Sequence, residues 1–261
     1  MAVSLASDSA IRARMAESAA AVTFFVMTTT PAALHVPELA DEPGLVHAFS
    51  TLALGSVGLK HALDPVPVLE ARRKFAGVLG LAGAKLTAIG SVHGAEVARV
   101  DKPVDSIDDV DALITDRRDV AIFATYADCY PIVLWDPEKR VAGLVHAGWR
   151  GTKAGVAKAA VRYMKDEFGC RFIRAGIGPG ICGRCYEVGD DVAVQFERRF
   201  LTEGNDDKFL LDLAAANRAQ LEDEGVKQVF DIGICTKEHY LFPSHRRHPD
   251  GTRFGAIVAI R

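Results

Sequence analysis

The chain predicts a single α+β domain built around a mixed sheet. Short apolar runs of strand length recur along it. Helical segments interrupt them irregularly instead of alternating one for one, which argues against strict βαβ winding. No internal repeat or long Gly/Ser linker divides the 261 residues. Hydrophobic residues make up 49% and charged ones 25%, enough apolar side chains for a sizeable core under a polar surface.

Residues 1–36 read as a flexible N-terminal extension and 37–261 as the domain. Arg12 and Arg14 ahead of the apolar run 19–27 imitate a signal peptide, but Glu17 interrupts it and no small-residue cleavage site comes after it. Residues 1–26 therefore read as an extension, with Met27 as the native start. No apolar run approaches the roughly 20 residues a bilayer span needs. A net charge of −3 and a pI near 6.2 argue against a nucleic-acid or anionic-membrane partner. Five cysteines, an odd number in a chain too long to need stapling, fit reduced thiols in the cytoplasm. Monomer and homodimer are both open.

The apolar segment 46–49 opens the domain, and a Gly-rich loop comes next at 54–58. Residues 65–81 are helical, with Val68, Leu69, Phe75, Val78 and Leu79 as apolar contacts. Strand-like runs lie at 87–92, 112–115 and 120–125. Residues 131–135 and 140–145 flank a turn at Asp136-Pro-Glu-Lys139 and read as a hairpin. Thr152 predicts an N-cap for a helix to Phe168, closed by Gly169. A strand at 172–177, a helix over 190–200 capped by Asp190, and a helix over 212–224 between Asp212 and Gly225 come next. Strands at 229–234 and 254–260 close the chain.

A turn centred between Pro137 and Glu138 pairs residues whose numbers sum to 275, which sets Cys129 opposite His146. Facing residues of an antiparallel pair have Cα atoms about 4.5–5.5 Å apart and share a face. A thiolate and an imidazole so placed share a metal ion, or act as nucleophile and base. His93, in Ser91-Val-His-Gly94 at a strand end, supplies a third ligand, the number a catalytic zinc takes while keeping one position open. Asp128 beside Cys129 is the carboxylate expected to orient an imidazole.

His146-Ala-Gly-Trp-Arg-Gly151 joins a strand to a helix. Gly148 and Gly151 let the backbone approach a ligand, the helix start offers free N–H groups to an anion, and Arg150 adds a charge-assisted contact to phosphate. The competing reading is a tight turn with Trp149 in the core and Arg150 solvated. Arg246, Arg247 and Arg253 line either an anionic substrate's pocket or a solvated basic loop. Gly178-Pro-Gly-Ile-Cys-Gly183 matches GxGxxG formally, but Pro179 and the residues from Cys182 to Gly189 make a poor dinucleotide-binding helix. Cys182-Gly-Arg-Cys185 is a single CxxC with no second one to complete a tetrahedral site, so free loop thiols are expected.

Val92-His-Gly94, Asp111-Ala-Leu-Ile-Thr115, Ala127-Asp-Cys129, His146-Ala-Gly-Trp-Arg-Gly151, Gly176-Ile-Gly-Pro179 and Tyr186-Glu-Val188 occur in this order. Asp212-Leu with Asn217, Cys235-Thr236, Ser244 and Arg246-Arg247 come after them. Together they resemble the bacterial proteins once named multicopper polyphenol oxidases or laccase-domain proteins, since described as purine nucleoside phosphorylases with adenosine deaminase activity. The resemblance runs from about residue 45 to 260. It implies an α/β sandwich in which His93, Cys129 and His146 bind the catalytic metal, usually zinc and in some descriptions copper. It also implies phosphorolysis of adenosine, inosine and S-methyl-5'-thioadenosine to free base and ribose 1-phosphate, and deamination of adenosine. Nucleoside and phosphate are then the small-molecule partners. The chain departs from the family pattern at Leu52, where an Arg is usual, at Ser91, where a Gln is usual, and at Thr252, where a Gly is usual. These three lie in segments expected to shape the substrate pocket.

The older oxidase name meets a counting test. Four-copper chemistry needs roughly ten histidines, many in His-x-His pairs, whereas this chain has eight and no such pair. A His₂Cys set nevertheless suits a single copper. Two further readings stand beside the zinc nucleoside enzyme. One is a metal-independent cysteine hydrolase with Cys129 as nucleophile and His146 as base, editing peptidoglycan precursors. The other is a non-enzymatic metal- or partner-binding protein.

Overall fold

The computed structural model describes residues 30–60 and 62–261. In chain order, β1 (Ala33–Leu34), α1 (Pro37–Ala40) and β2 (Leu45–Ser50) lead to α2 (Pro65–Val78). Then come β3 (Leu86–Gly90), β4 (Val97–Arg99), β5 (Ser106–Asp108), β6 (Ala112–Thr115) and β7 (Ala121–Tyr126), followed by the hairpin of β8 (Tyr130–Asp136) and β9 (Val141–Ala147). Next are α3 (Trp149–Ala154), α4 (Val156–Phe168), β10 (Arg174–Ile177), β11 (Glu187–Val188), α5 (Asp190–Ala193), β12 (Leu201–Glu203) and β13 (Phe209–Leu211). The last elements are α6 (Leu213–Asp223), β14 (Gln228–Asp231) and β15 (Phe254–Ile260). Among the described residues no helix is long and apolar enough to cross a membrane.

Two six-stranded mixed sheets dominate, in the orders β1-β2-β15-β7-β3-β5 and β14-β10-β8-β9-β6-β4. A small antiparallel sheet, β11-β13-β12, stands apart. Period-two alternation sorts each central strand between two cores. On β9, Ala142 and Leu144 join Phe49, Tyr126 and Phe254 between the sheets, whereas Val145 and Ala147 pack on Val156, Ala160 and Met164 of α4. On the far side, Ala48, Phe123 and Ile257 meet Ala71 and Phe75 of α2. The result is four layers, α2, sheet, sheet, then α4 and α6, which is the expected mixed-sheet sandwich. Strands buried on both faces, such as β8, β9 and β15, read in sequence as near-continuous apolar runs.

Besides shifts of a few residues at element ends, four expectations change. The residues before Thr30 lie outside the described part, but Ala33–Leu34 already pairs with Phe49 and Ser50, ahead of the expected boundary at residue 37. The single helix from Thr152 to Phe168 is two: Gly148 caps α3, and Gly155, at φ 84°, breaks the path before α4. Thr152 is buried inside α3 and hydrogen-bonds Asn217 of α6 at 3.0 Å. The helix expected over 190–200 ends at Ala193. Val192, Phe196 and Phe200 keep their common core contact through a turn and a 3₁₀ segment that deliver β12.

The fourth change is the hairpin register. Pro131 pairs with His146 and Asp136 with Val141, so partners sum to 277. The Asp136 carboxylate accepts the N–H groups of Glu138 and Lys139 at 3.0 and 2.9 Å and so fixes a four-residue turn over 137–140. The slip is two residues. An even slip preserves the face, so Cys129 and His146 remain on the same side of the hairpin.

The β1 edge carries a pH-dependent contribution to stability. His47 is 2% exposed, and its Nε2 accepts the N–H of Val36 at 3.0 Å, which requires a neutral ring. Burial first, then the neighbouring His35, lower its pKa from 6.5 to about 4. The unfolded chain therefore takes up this proton near pH 6.5 and the folded chain only near pH 4. Stability is full above 6.5 and falls as pH drops through that window, by roughly 3 kcal/mol. Urea titrations from pH 7.5 to 4.5 should show that loss, and His47→Gln should flatten it; an unchanged pH slope in the variant would assign the loss to other groups.

Candidate metal centre

His146 is the next-to-last residue of β9 and points between the sheets, where its ring lies 5.1 Å from that of Tyr126. Cys129 lies in the short bend between β7 and β8, and His93 in the loop after β3. One ligand atom from each of the three falls within 4.8 Å of the others. The two imidazoles stand edge to face, 5.0 Å apart between centroids. His146 is buried, Cys129 half-buried and His93 exposed, so the trio closes on the protein side and opens to solvent at His93.

Asp111, immediately before β6 and wholly buried, organises this trio. Its carboxylate accepts the main-chain N–H groups of Val92, His93 and Gly94 at 3.2, 3.0 and 2.6 Å. Those three bonds hold the loop in which His93 adopts φ 62°, a left-handed conformation uncommon outside glycine. The same carboxylate lies 3.1 Å from His146 Nδ1. Such a partner takes the Nδ1–H and turns Nε2 toward the ligand position, the arrangement expected of a metal-binding histidine.

Expectation and structure part over Asp128. Its carboxylate accepts the Thr236 hydroxyl and the Arg246 N–H, each at 2.7 Å, and hydrogen-bonds no imidazole among the described residues. It ties the 236–246 loop to the residue beside Cys129, while Asp111 does the orienting. Glycine at 148 and 151 is a matter of close approach. A Cβ at Gly148 would lie 2.9 Å from Cys129 Sγ and 3.0 Å from His93 Cδ2, and one at Gly151 would lie 2.9 Å from the Gly94 carbonyl. The two glycines thus let the α3 turn seat directly against the trio.

The electrostatics suit a cation. Burial pushes the Cys129 thiol up, but His146 and His93 outweigh it and lower its pKa to about 6. Burial likewise pulls His146 down, and Cys129 with Asp111 raises it to about 9. Burial acts to raise Asp111, and His146 together with the Gly94 and Val92 amides holds it below the usual carboxylate range. A thiolate ready at neutral pH, two imidazoles and an outer carboxylate form a donor set that fits zinc or copper.

Arg150, just past Gly148, is exposed and stacked on Trp149 at 4.4 Å, and Arg246 lies over the Tyr186 ring at 5.1 Å while its guanidinium donates to the Glu187 carbonyl at 2.7 Å. Burial raises Tyr186 to about 12, with Cys129 and Asp128 acting in the same direction and Arg246 and Arg150 against it. Sequence reasoning gave Tyr186 no role. Arg247 is engaged elsewhere: its guanidinium donates to the carbonyls of Thr236, Lys237 and Phe242 at 3.0, 2.8 and 2.6 Å and so folds the loop. Arg253 donates to its neighbour's carbonyl, Thr252. Leu52 and Ser91 are exposed, and Thr252 is half-buried.

The model of a family described as multi-copper polyphenol oxidoreductase laccase matches residues 48–261. The chain belongs to this family. A relative from Deinococcus radiodurans named purine nucleoside phosphorylase is 39% identical over 241 residues, covering 87% of this chain and 92% of its own. An adenosine deaminase from an unknown prokaryotic organism is 35% identical over 204 residues, covering 70% and 78%. Within the same fold, YlmD from Geobacillus stearothermophilus aligns with a TM-score of 0.78 and 30% identity over 84% of this chain and 93% of its own. The hypothetical protein YfiH of Bacillus licheniformis gives 0.82 and 25% over 88% and 97%. The laccase family's description names several coppers. Among the described residues, however, a single three-ligand cluster contains histidine, so a four-copper ligand set is not found there.

Proposed function

We propose that this protein is a cytoplasmic, zinc-dependent purine nucleoside enzyme that cleaves adenosine, inosine and S-methyl-5'-thioadenosine with phosphate and deaminates adenosine. The observation that carries the reading is the convergence of His93, Cys129 and His146 on one solvent-open point, with Asp111 orienting His146. Relatives named for both activities, at 39% and 35% identity, support it. Five free cysteines support a reducing compartment.

Zinc held by the three residues would supply Lewis acidity and bring a water's pKa toward about 7. The chain's own groups do the rest. Asp111 fixes His146 and the His93 loop, and Cys129 contributes the anionic ligand. Tyr186, Arg246 and Arg150 line the opening, where a nucleoside's polar edge and a phosphate would meet donors and positive charge. Phosphate contact rests on these two exposed arginines and the main chain at Gly148 and Gly151. Arg247 has its carbonyl partners to hold.

The deciding experiment incubates metal-quantified protein with adenosine, with and without phosphate. Adenine and ribose 1-phosphate should appear only with phosphate, and inosine in both. Arg150→Ala should slow phosphorolysis about tenfold while sparing deamination, which needs only water. Equal loss of both activities in a normally stable variant would remove Arg150 from phosphate binding. The second reading, a cysteine hydrolase, is favoured by the lowered thiol of Cys129 beside His146. A stoichiometric metal on that thiolate would leave it no free nucleophile.

A further inference from the structure

Far along the chain from the trio, two loops bring together four more ligand groups. Cys182, Cys185, Cys235 and Glu238 each place one ligand atom within 4.8 Å of the others. The sequence shows only one CxxC because its partner half is Cys235-Thr-Lys-Glu238, the same two-residue gap ending in a carboxylate. Two such short-spaced pairs, one per loop, have the spacing of a tetrahedral structural zinc site, with a carboxylate, also a zinc ligand, in the fourth place.

The backbone around the four groups is already arranged as in a metal-binding turn. Cys185 and Tyr186 N–H groups return to the Cys182 carbonyl at 2.9 and 3.0 Å, closing the first turn. The Cys182 N–H points at Cys235 Sγ at 3.4 Å, the kind of main-chain contact that supports a thiolate ligand. Gly180 and Cys235 form a parallel bridge that fixes the spacing of the loops. Arg184 reaches Glu238 at 3.0 Å and would offset the surplus negative charge of three thiolates and a carboxylate on a divalent ion. All three cysteines are free.

We propose that Cys182, Cys185, Cys235 and Glu238 form a second metal site, a structural zinc clip distinct from the His93/Cys129/His146 centre. Three sulfurs select a thiophilic ion, and four protein ligands leave no open position, so the site is structural. Binding converts three thiols to thiolates and releases their protons to solvent. The clip lies next to Thr236, whose N–H donates to Gly180 O at 3.0 Å and whose hydroxyl donates to Asp128 at 2.7 Å, beside Cys129. Locking the loops together therefore steadies one wall of the first centre.

The test is zinc content of reduced full-length protein after zinc loading and desalting, compared with the Cys182→Ser/Cys185→Ser double variant. The wild type should retain one more zinc per chain than the variant. This difference does not depend on whether the first centre binds metal or what it catalyses. Equal zinc in the two proteins, or a Cys182–Cys185 disulfide found by mass spectrometry in freshly reduced, zinc-loaded wild type, overturns the proposal. If the double variant does not fold, cobalt-loaded wild type and Glu238→Ala decide. A thiolate-to-cobalt charge-transfer band should show several sulfurs per ion in the wild type, and Glu238→Ala should weaken cobalt binding at least tenfold. A band with the intensity of one sulfur, or an unchanged affinity in Glu238→Ala, would leave only the Cys129 centre.

Discussion

Replacing Cys129 with alanine is expected to remove the metal from the first centre and to take phosphorolysis and deamination together to background. Cys129 is the only sulfur and the only anionic ligand in the trio, and two histidines alone fall short of the three protein ligands a catalytic zinc takes. Loss of an outer hydrogen-bond partner of a ligand costs about 10- to 100-fold in affinity or activity, so loss of the ligand itself should exceed that. The fold should survive. Cys129 lies in a bend outside β8 and packs only at the border of the inter-sheet core, so truncation opens little buried volume. Zinc content, both activities and the melting temperature measured on one preparation decide it. Full activity in a zinc-free Cys129→Ala protein would move the chemistry away from the trio, and a stable protein that keeps its zinc but loses activity would favour Cys129 as nucleophile.

Local interactions are legible in the sequence, and tertiary ones are not. β6 and β15 run where their β-branched and apolar residues put them, over 112–115 and 254–260, because strands buried on both faces need little beyond their own composition. Asp212 caps α6 as expected, accepting the Ala215 N–H at 2.9 Å. The short strands β4, β5 and β11 to β13 do not show in the sequence, since two or three residues carry no period and exist only through their partners. His93, Cys129 and His146 converge despite the wrong register because the slip is even. Asp111 stayed hidden because its work is with a loop 17 to 19 residues earlier and a strand 35 residues later. Asp128, adjacent to Cys129 in sequence, drew the role that tertiary contact gives to Asp111. The second thiol cluster was missed for a related reason: its completing half ends in a glutamate 53 residues from Cys185.

Asp111 therefore carries the other large expected effect. Alanine there would take the buried acceptor from three part-buried main-chain N–H groups and free the His146 ring from its carboxylate partner. Unsatisfied buried donors cost about 1–3 kcal/mol each, and breaking a buried charged pair about 3–5 kcal/mol. Part of this would be relieved as the His93 loop opens to water, so a destabilisation of about 3–5 kcal/mol is expected, with both metal and activity lost. Asp111→Asn separates the two roles. It keeps one oxygen to accept the Val92 and Gly94 amides and nearly the same volume, but gives up the bond to the His93 N–H and the charge that faces His146. The asparagine variant should fold with most of its stability yet bind zinc about 10- to 100-fold more weakly, because His146 is no longer held with Nε2 turned to the metal. Urea unfolding and zinc titration of the two variants separate loop anchoring from ligand orientation. If Asp111→Asn binds zinc and turns over nucleoside like the wild type, the carboxylate serves only to hold the His93 loop, and His146 needs no charged partner to act as a ligand.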